Sequence, residues 1–236
     1  MKPTPHNLAP GGQEADSKEF VTRDMCLSRS EELARAILGE DFLSLSEIEK
    51  AHNFCFTKNQ RAALIETVPD FETLWWLWDE GCVLVATQSS DYNLLQLRAQ
   101  DNPIMIHKSD KWLARKHQTF VCKDVVQACR WLAVRKEPYL GSMNRAFPEQ
   151  QQLLSAVEYI PNAAEVTYTI TSYCKVRGLR LLKDVSVRTS SVDMSNQSVI
   201  VGNHTDDGLS IGQFWDSKSE THIGISSARG LDWLMP

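Results

Sequence analysis

The last quarter of the sequence contains residues that could bind a metal ion. In the stretch VIVGNHTDDGLSIGQFWD one histidine and two aspartates lie between short apolar runs, and a second histidine follows the stretch. Imidazole and carboxylate groups are ligands for first-row transition metals, so together they would hold a metal or run metal-dependent chemistry. The candidates are His204, Asp206, Asp207 and His222.

The same residues also fit a polar hairpin turn. Aspartate tolerates turn geometry, and Gly208 can adopt the positive φ that other side chains strain to reach. The flanking SVIVG and GLSI alternate as strands do. We therefore favour the turn and keep the metal site as the alternative.

A second candidate surface lies in the basic stretch from 98 to 136, which carries nine Lys/Arg against three Asp/Glu. Its cations could bind phosphate, and an indole between them could stack on a base. A solvated basic helix explains the same pattern, and we favour that interpretation over nucleic-acid binding. The residues that would form the surface are Lys111, Trp112, Arg115 and Lys116, with His107 and His117 on either side.

Short catalytic motifs are missing from the sequence. It has no glycine-rich phosphate loop, no GxSxG elbow, no HExxH helix and no EF-hand loop. Cys55 follows His52 by three residues, so the two would share a helix face as nucleophile and base. Phe54 and Phe56 around Cys55 favour a core position instead. These observations predict a non-enzymatic protein without a cofactor.

The helix predicted over FETLWWLWDEG contains three tryptophans within one turn. At about 100° per residue they cannot share a face, so we expect Leu74, Trp75 and Trp78 to be buried and Trp76 to be partly exposed. Core packing is the simpler interpretation, and an aromatic docking surface for a partner is the alternative. The exposed aromatic candidates are Trp76, Trp215 and Trp233.

These side chains depend on an N-terminal helical region and a central αβ portion. Residues 1–25 hold prolines and a Gly-Gly pair and are expected to be a disordered tail. Residues 26–81 predict four helices, with capping boxes at SLSE and TKNQ. Residues 82–140 predict strands at CVLVAT, PIMIH and TFVC, a helix at SDYNLLQLRAQ, and a helix over DVVQACRWLAVRK.

Residues 141–236 predict a short helix at EQQQLLSAVEY, a long helix from Asn162 to Gly178, and a small antiparallel sheet. Its strands are VSVRT, SVIVG, GLSI and THIGISSA. The fold class that follows is α+β, with residues 82–236 possible as one domain. Whether the central strands and the C-terminal strands share one sheet is left open.

Bulk composition excludes some classes. The 236 residues are 42% hydrophobic and 23% charged, as in globular proteins, and the net charge of -5 disfavours a dedicated nucleic-acid binder. The six cysteines form no CxxC pair, and the chain has no secretory signal pattern and no apolar run of about 20 residues. We therefore expect a cytoplasmic protein whose reduced cysteines act mostly as small buried apolar residues. Cys122 and Cys129 would share a helix face without further zinc ligands.

Several segments resemble a known family. WLAVRKEP, EQQQLLS, IPNAAEV, RGLRLL, VRTSSVD, VIVG and IGISSARG occur in order, and from about residue 70 the chain resembles an uncharacterised family of bacterial hypothetical proteins. That resemblance implies no activity, ligand or catalytic residue. The last strands are also similar to the end of C-type-lectin-like domains, without their cysteines and calcium ligands.

The sequence thus predicts a cytoplasmic binding or adaptor protein whose partner is another protein or a second copy of the chain. A metal-binding protein or metal-dependent enzyme that uses the C-terminal sheet is the first alternative. A nucleic-acid-associated protein that uses residues 107–136 is the second.

Overall fold

The computed structural model describes residues 28–100 and 118–231. Several expectations fall outside this part of the chain: the disordered tail, the strand PIMIH, and the basic surface at Lys111, Trp112, Arg115 and Lys116, with Trp233.

The N-terminal region is helical, as predicted. Its helices are α1 (Arg29–Leu38), α2 (Leu45–His52), α3 (Lys58–Glu66) and α4 (Phe71–Asp79). Both predicted capping boxes are present, at Ser44 with Glu47 and at Thr57 with Gln60. Reciprocal side-chain and backbone hydrogen bonds satisfy the first N–H groups of these helices, so the short segments begin at defined residues.

The central region departs from its prediction at three places. A short strand, β1 (Phe42–Leu43), lies in the N-terminal region. The central region contains β2 (Cys82–Ala86), β3 (Tyr92–Asn93), α5 (Leu94–Gln100), α6 (Phe120–Lys123), β4 (Val125–Val126) and β5 (Trp131–Arg135). The first departure is Tyr92–Asn93, a strand within the helix predicted over SDYNLLQLRAQ. The strand at TFVC was wrong, because that segment is α6. The helix over DVVQACRWLAVRK was also wrong, because it holds β4, a turn and β5. Cys129, between the two strands, has φ of 52°, and this left-handed backbone conformation is incompatible with a continuous right-handed helix.

The C-terminal region contains α7 (Phe147–Gln151), β6 (Glu158–Tyr159), α8 (Ala163–Arg177), β7 (Ser186–Val192), β8 (Ser198–Thr205), β9 (Gly208–Phe214), β10 (Ile223–Ile225) and β11 (Ala228–Arg229). The long helix begins and ends as predicted, with Asn162 at its N-cap and Gly178 in a left-handed conformation after it. The short helix α7 begins before EQQQLLSAVEY and ends within it, and that segment ends in β6.

The strands form three sheets, of orders β1-β2-β5-β11-β6, β10-β7-β8-β9 and β3-β4. The predicted C-terminal sheet is antiparallel over β7, β8 and β9, but β10 pairs with β7 in parallel, so that sheet is mixed. THIGISSA does not form one strand. It divides into β10 and β11, which joins the five-stranded sheet, so strand pairing connects the central and C-terminal portions.

Helix α8 lies between the two larger sheets. All its residues from Ala163 to Tyr173 are buried, Val166 and Ile170 in one core with β7–β9, Ala164 and Tyr168 in another with β2 and β5. The opposite face of the five-stranded sheet packs on the N-terminal helices. This α+β arrangement has eight α-helices within the described residues. None of those helices combines the length and apolar character that crossing a membrane requires.

Candidate functional site

The predicted turn at the tip of the C-terminal hairpin is confirmed. Asp206 and Asp207 connect β8 and β9, and Thr205 pairs directly with Gly208. Gly208 has φ of 116°, a conformation that L side chains rarely adopt. The two aspartates are thus placed by the turn, and both are exposed.

The structure does not gather the four candidate metal ligands into a site. His204 is only 1% exposed, Asp206 forms an ion pair with Arg180, and His222 is exposed just before β10. Strand β7 separates β8 from β10. Within residues 28–100 and 118–231, no group of three or more His, Cys, Asp or Glu side chains is placed to hold a metal ion.

His204 is a buried neutral histidine. Burial, and then the charge of Arg180, lower its pKa to about 4, against a smaller opposing effect of a hydrogen bond to the Leu181 backbone. Its Nδ1 atom has no hydrogen-bond partner in the described structure. The neutral state of His204 is therefore explained by its burial in the sheet interior.

A second histidine, His52, is partly buried and connects α2 with α8. His52 Nε2 lies 2.8 Å from Ser172 Oγ, Lys175 Nζ lies 3.4 Å from His52 Nδ1, and the imidazole stacks on Tyr168. Sequence reasoning missed this group because it joins residues 120 positions apart. The ammonium group can only donate, so Nε2 carries the proton and donates to Ser172.

That hydrogen-bond direction is opposite to what a serine nucleophile needs. A general base must accept the serine proton, whereas Nε2 already carries one, and Ser172 is 0% exposed. Burial and the charge of Lys175 lower the pKa of His52 to about 3. The group therefore stabilises the contact between two helices. Cys55 is exposed, so its expected core position was wrong.

The cysteines are less buried than their apolar neighbours predicted. Five lie in the described part of the chain and all five are free thiols. Only Cys82 is buried, and burial raises its pKa to about 12. Cys122 and Cys129 do not share a helix, since one lies in α6 and the other in the turn before β5.

The burial predicted for Trp75 and Trp78 is wrong, whereas Leu74 is buried and Trp76 is partly exposed, as predicted. Trp75 and Trp78 are 53% and 51% exposed, whereas Trp76 is half-buried against the N-terminal core with the Arg229 guanidinium 4.5 Å from its ring centroid. Leu74 and Leu77 are fully buried. The helix is apolar on several sides, so periodicity alone could not identify which side the core covers.

The exposed side of α4 forms a continuous aromatic surface. Phe71 is 57% exposed and stacks on Trp75 at 6.3 Å, and Trp75 contacts Trp78 at 5.0 Å between ring centroids. The spacing i, i+4, i+7 places all three on one helix face. We call Phe71, Trp75 and Trp78 the aromatic ridge.

Acidic residues flank the aromatic ridge in the sequence. Residues 66–80 contain five Asp/Glu and no Lys or Arg. Two have structural roles: Asp70 caps α4 and Glu80 pairs with Arg135. Glu66, Glu72 and Asp79 are exposed, and none forms an ion pair in the described structure.

Trp215 lies apart from the aromatic ridge. It is 59% exposed after β9, and its carbonyl accepts a hydrogen bond from Arg188. Arg188 is fully buried and also binds the carbonyl of Lys218, so it fixes the backbone of this loop. Trp215 is therefore an isolated exposed indole on a well-fixed backbone.

Comparisons of the chain with family models, with curated proteins and with solved structures find no match. The function is therefore argued from the surface chemistry of the chain itself. Within the described residues, the aromatic ridge is the feature that packing inside the chain explains least.

Proposed function

We propose that the protein is a non-enzymatic binding protein and that the aromatic ridge is its recognition surface. The observation that carries this proposal is a contiguous row of three large aromatic side chains that are each more than half exposed. Exposed apolar side chains in one patch cost free energy in water, and tryptophan is enriched among the residues that dominate protein interfaces.

The ridge is held on a rigid element. Asp70 accepts a hydrogen bond from the Thr73 N–H at 2.9 Å, which fixes the start of α4, and Leu74 and Leu77 anchor the helix in the core. A partner would therefore meet a surface that is already ordered. Less conformational entropy is lost on binding to such a surface.

The proposal extends to partner and compartment. The partner is a protein, and the compartment is the cytoplasm, where exposed thiols such as Cys55 and Cys122 stay reduced. Membership of the bacterial family that the sequence resembles is part of the same proposal. The metal alternative lacks a group of ligands in the described structure, and the nucleic-acid alternative depends on residues outside it.

The proposal predicts that the double variant Trp75→Ser/Trp78→Ser loses its partner. Quantitative mass spectrometry would compare proteins retained by the full tagged chain, by this variant and by Trp215→Ser, which removes an equally exposed indole elsewhere. Each recovered protein would then be purified and titrated by calorimetry. We expect the double variant to weaken binding about 30-fold or more and Trp215→Ser to leave it unchanged.

Two outcomes contradict this function. Either the double variant and the Trp215→Ser control bind every purified partner equally well, or the wild-type chain binds none of them. Because the substituted indoles are largely exposed, all three chains should unfold at similar temperatures, and this is measured first.

A further inference from the structure

The charge around the aromatic ridge indicates the chemistry of its partner. The whole chain carries a formal charge of -5. Residues 66–80 alone account for -5, from five Asp/Glu and no Lys/Arg, so the rest of the chain sums to zero. Asp70 caps the helix and Glu80 pairs with Arg135, so three exposed carboxylates, Glu66, Glu72 and Asp79, keep this segment negative. Charge of one sign attracts a partner of the opposite sign.

We propose that the aromatic ridge binds a basic polypeptide segment of another protein, an inference that rests on the proposed function. Lysine or arginine side chains of that segment lie over the indole faces of Trp75 and Trp78, where cation–π attraction holds them. Glu72 follows the first ridge residue and Asp79 follows the last, so carboxylates lie at both ends to pair with the incoming cations.

The chain already contains this contact within its own fold. Trp76, on the same helix, has the Arg229 guanidinium 4.5 Å from its ring centroid, and Tyr139 has Arg135 at the same distance. The ridge indoles differ from Trp76 in that more than half of each side chain is exposed. A cation from another protein would therefore lie over Trp75 or Trp78 in the way that Arg229 lies over Trp76.

Other occupants are disfavoured by the same charges. A nucleic acid or an anionic membrane would bring phosphates against Glu72 and Asp79. A second copy of the chain docked ridge to ridge would place its own carboxylates against these two. Both arrangements set like charges together, which costs free energy of binding.

The experiment titrates the full chain with defined probes by calorimetry at about 0.05 M and about 0.5 M NaCl, where the screening length differs severalfold. The first probe is a short peptide of alternating Arg and Leu, the second has Gln in place of each Arg, and the third is a single-stranded oligothymidylate. We expect the Arg peptide to bind about tenfold more tightly than the Gln peptide at low salt, and the difference to shrink at high salt.

Variants locate the binding. Glu72→Gln/Asp79→Asn should weaken the Arg peptide about fivefold and flatten its salt dependence. Trp75→Ser/Trp78→Ser should weaken it about tenfold. The matched control Asp184→Asn/Asp207→Asn removes two exposed carboxylates elsewhere and should leave the affinity unchanged.

The outcomes separate this inference from the proposed function. If the Arg and Gln peptides bind alike, or the oligonucleotide binds more tightly, the inference of a basic partner is overturned. The proposed function still stands if a partner protein binds the wild-type chain and not the Trp75→Ser/Trp78→Ser variant. If the Arg peptide binds the wild-type chain and the ridge variant equally, its site lies elsewhere and the inference is overturned.

Discussion

At the scale of single residues, two histidines with lowered pKa values give the protein a defined response to pH. The pKa of His52 is about 3 and that of His204 about 4 in the folded protein, against an ordinary value of 6.5. Below pH 6.5 the unfolded chain therefore binds protons that the folded chain does not. The free energy of unfolding should be maintained above pH 6.5 and should decrease as the pH falls, by up to about 1.4 kcal/mol per pH unit for each histidine.

The measurement is urea unfolding between pH 7 and pH 4.5. The pKa of Glu47 is lowered from 4.5 to about 2, so its contribution to stability is lost mainly below pH 4.5. We expect His52→Gln to reduce the slope by about half, because one of the two groups no longer titrates. His222→Gln, which removes an exposed histidine, should leave the slope unchanged. Equal slopes for all three chains would show that His52 is not kept neutral by the fold.

One glycine is required by close backbone contact. A Cβ on Gly202 would lie 2.2 Å from the carbonyl oxygen of Val185 and 2.6 Å from the Cα of Ser186. We expect Gly202→Ala to destabilise the protein by about 1–3 kcal/mol, since β7 and β8 must separate to admit the methyl group. The control is Gly212→Ala on β9, where the nearest atom would be 3.8 Å away. Equal unfolding midpoints in urea for these variants would contradict the prediction.

At the scale of elements, predictions held where the signal is local. The capping boxes and the C-terminal glycine after α8 fix helix ends through hydrogen bonds within a few residues, and these are readable from sequence. Strand β5 was misread as helix because both of its faces are buried. Ala133 packs towards the N-terminal helices and Leu132 towards α8, which leaves a continuous apolar run without alternation.

The candidate site was predictable only in part, because a local pattern does not show which side of a helix the core covers. Clustered tryptophans on α4 indicated an aromatic docking surface, but which of them is exposed depends on where the sheet and α1 contact the helix. Similarly, the contact of His52 with Ser172 spans 120 residues and leaves no local pattern. Chemistry that depends on tertiary contacts is visible only once the fold is known.

At the scale of the whole molecule, α8 makes the two large sheets depend on one another. Ile170 is 3% exposed and contributes to the core under β7–β9, while Tyr168, two residues earlier, contributes to the core under β2 and β5. Strand β11 adds a second connection, because it follows β10 of one sheet and pairs with β5 of the other. The sheets are therefore expected to unfold together.

Ile170→Ala tests this coupling, because it removes a side chain from only one of the two cores. The cavity should cost about 2–5 kcal/mol, which lowers Tm by about 5–15 °C. Calorimetry should show a single transition whose calorimetric and van't Hoff enthalpies agree, shifted as a unit in the variant. Leu179→Ala, at a side chain that is 53% exposed just after α8, should shift it little. Two separate transitions, of which Ile170→Ala moves only one, would show that the sheets belong to independent units and that α8 does not couple them.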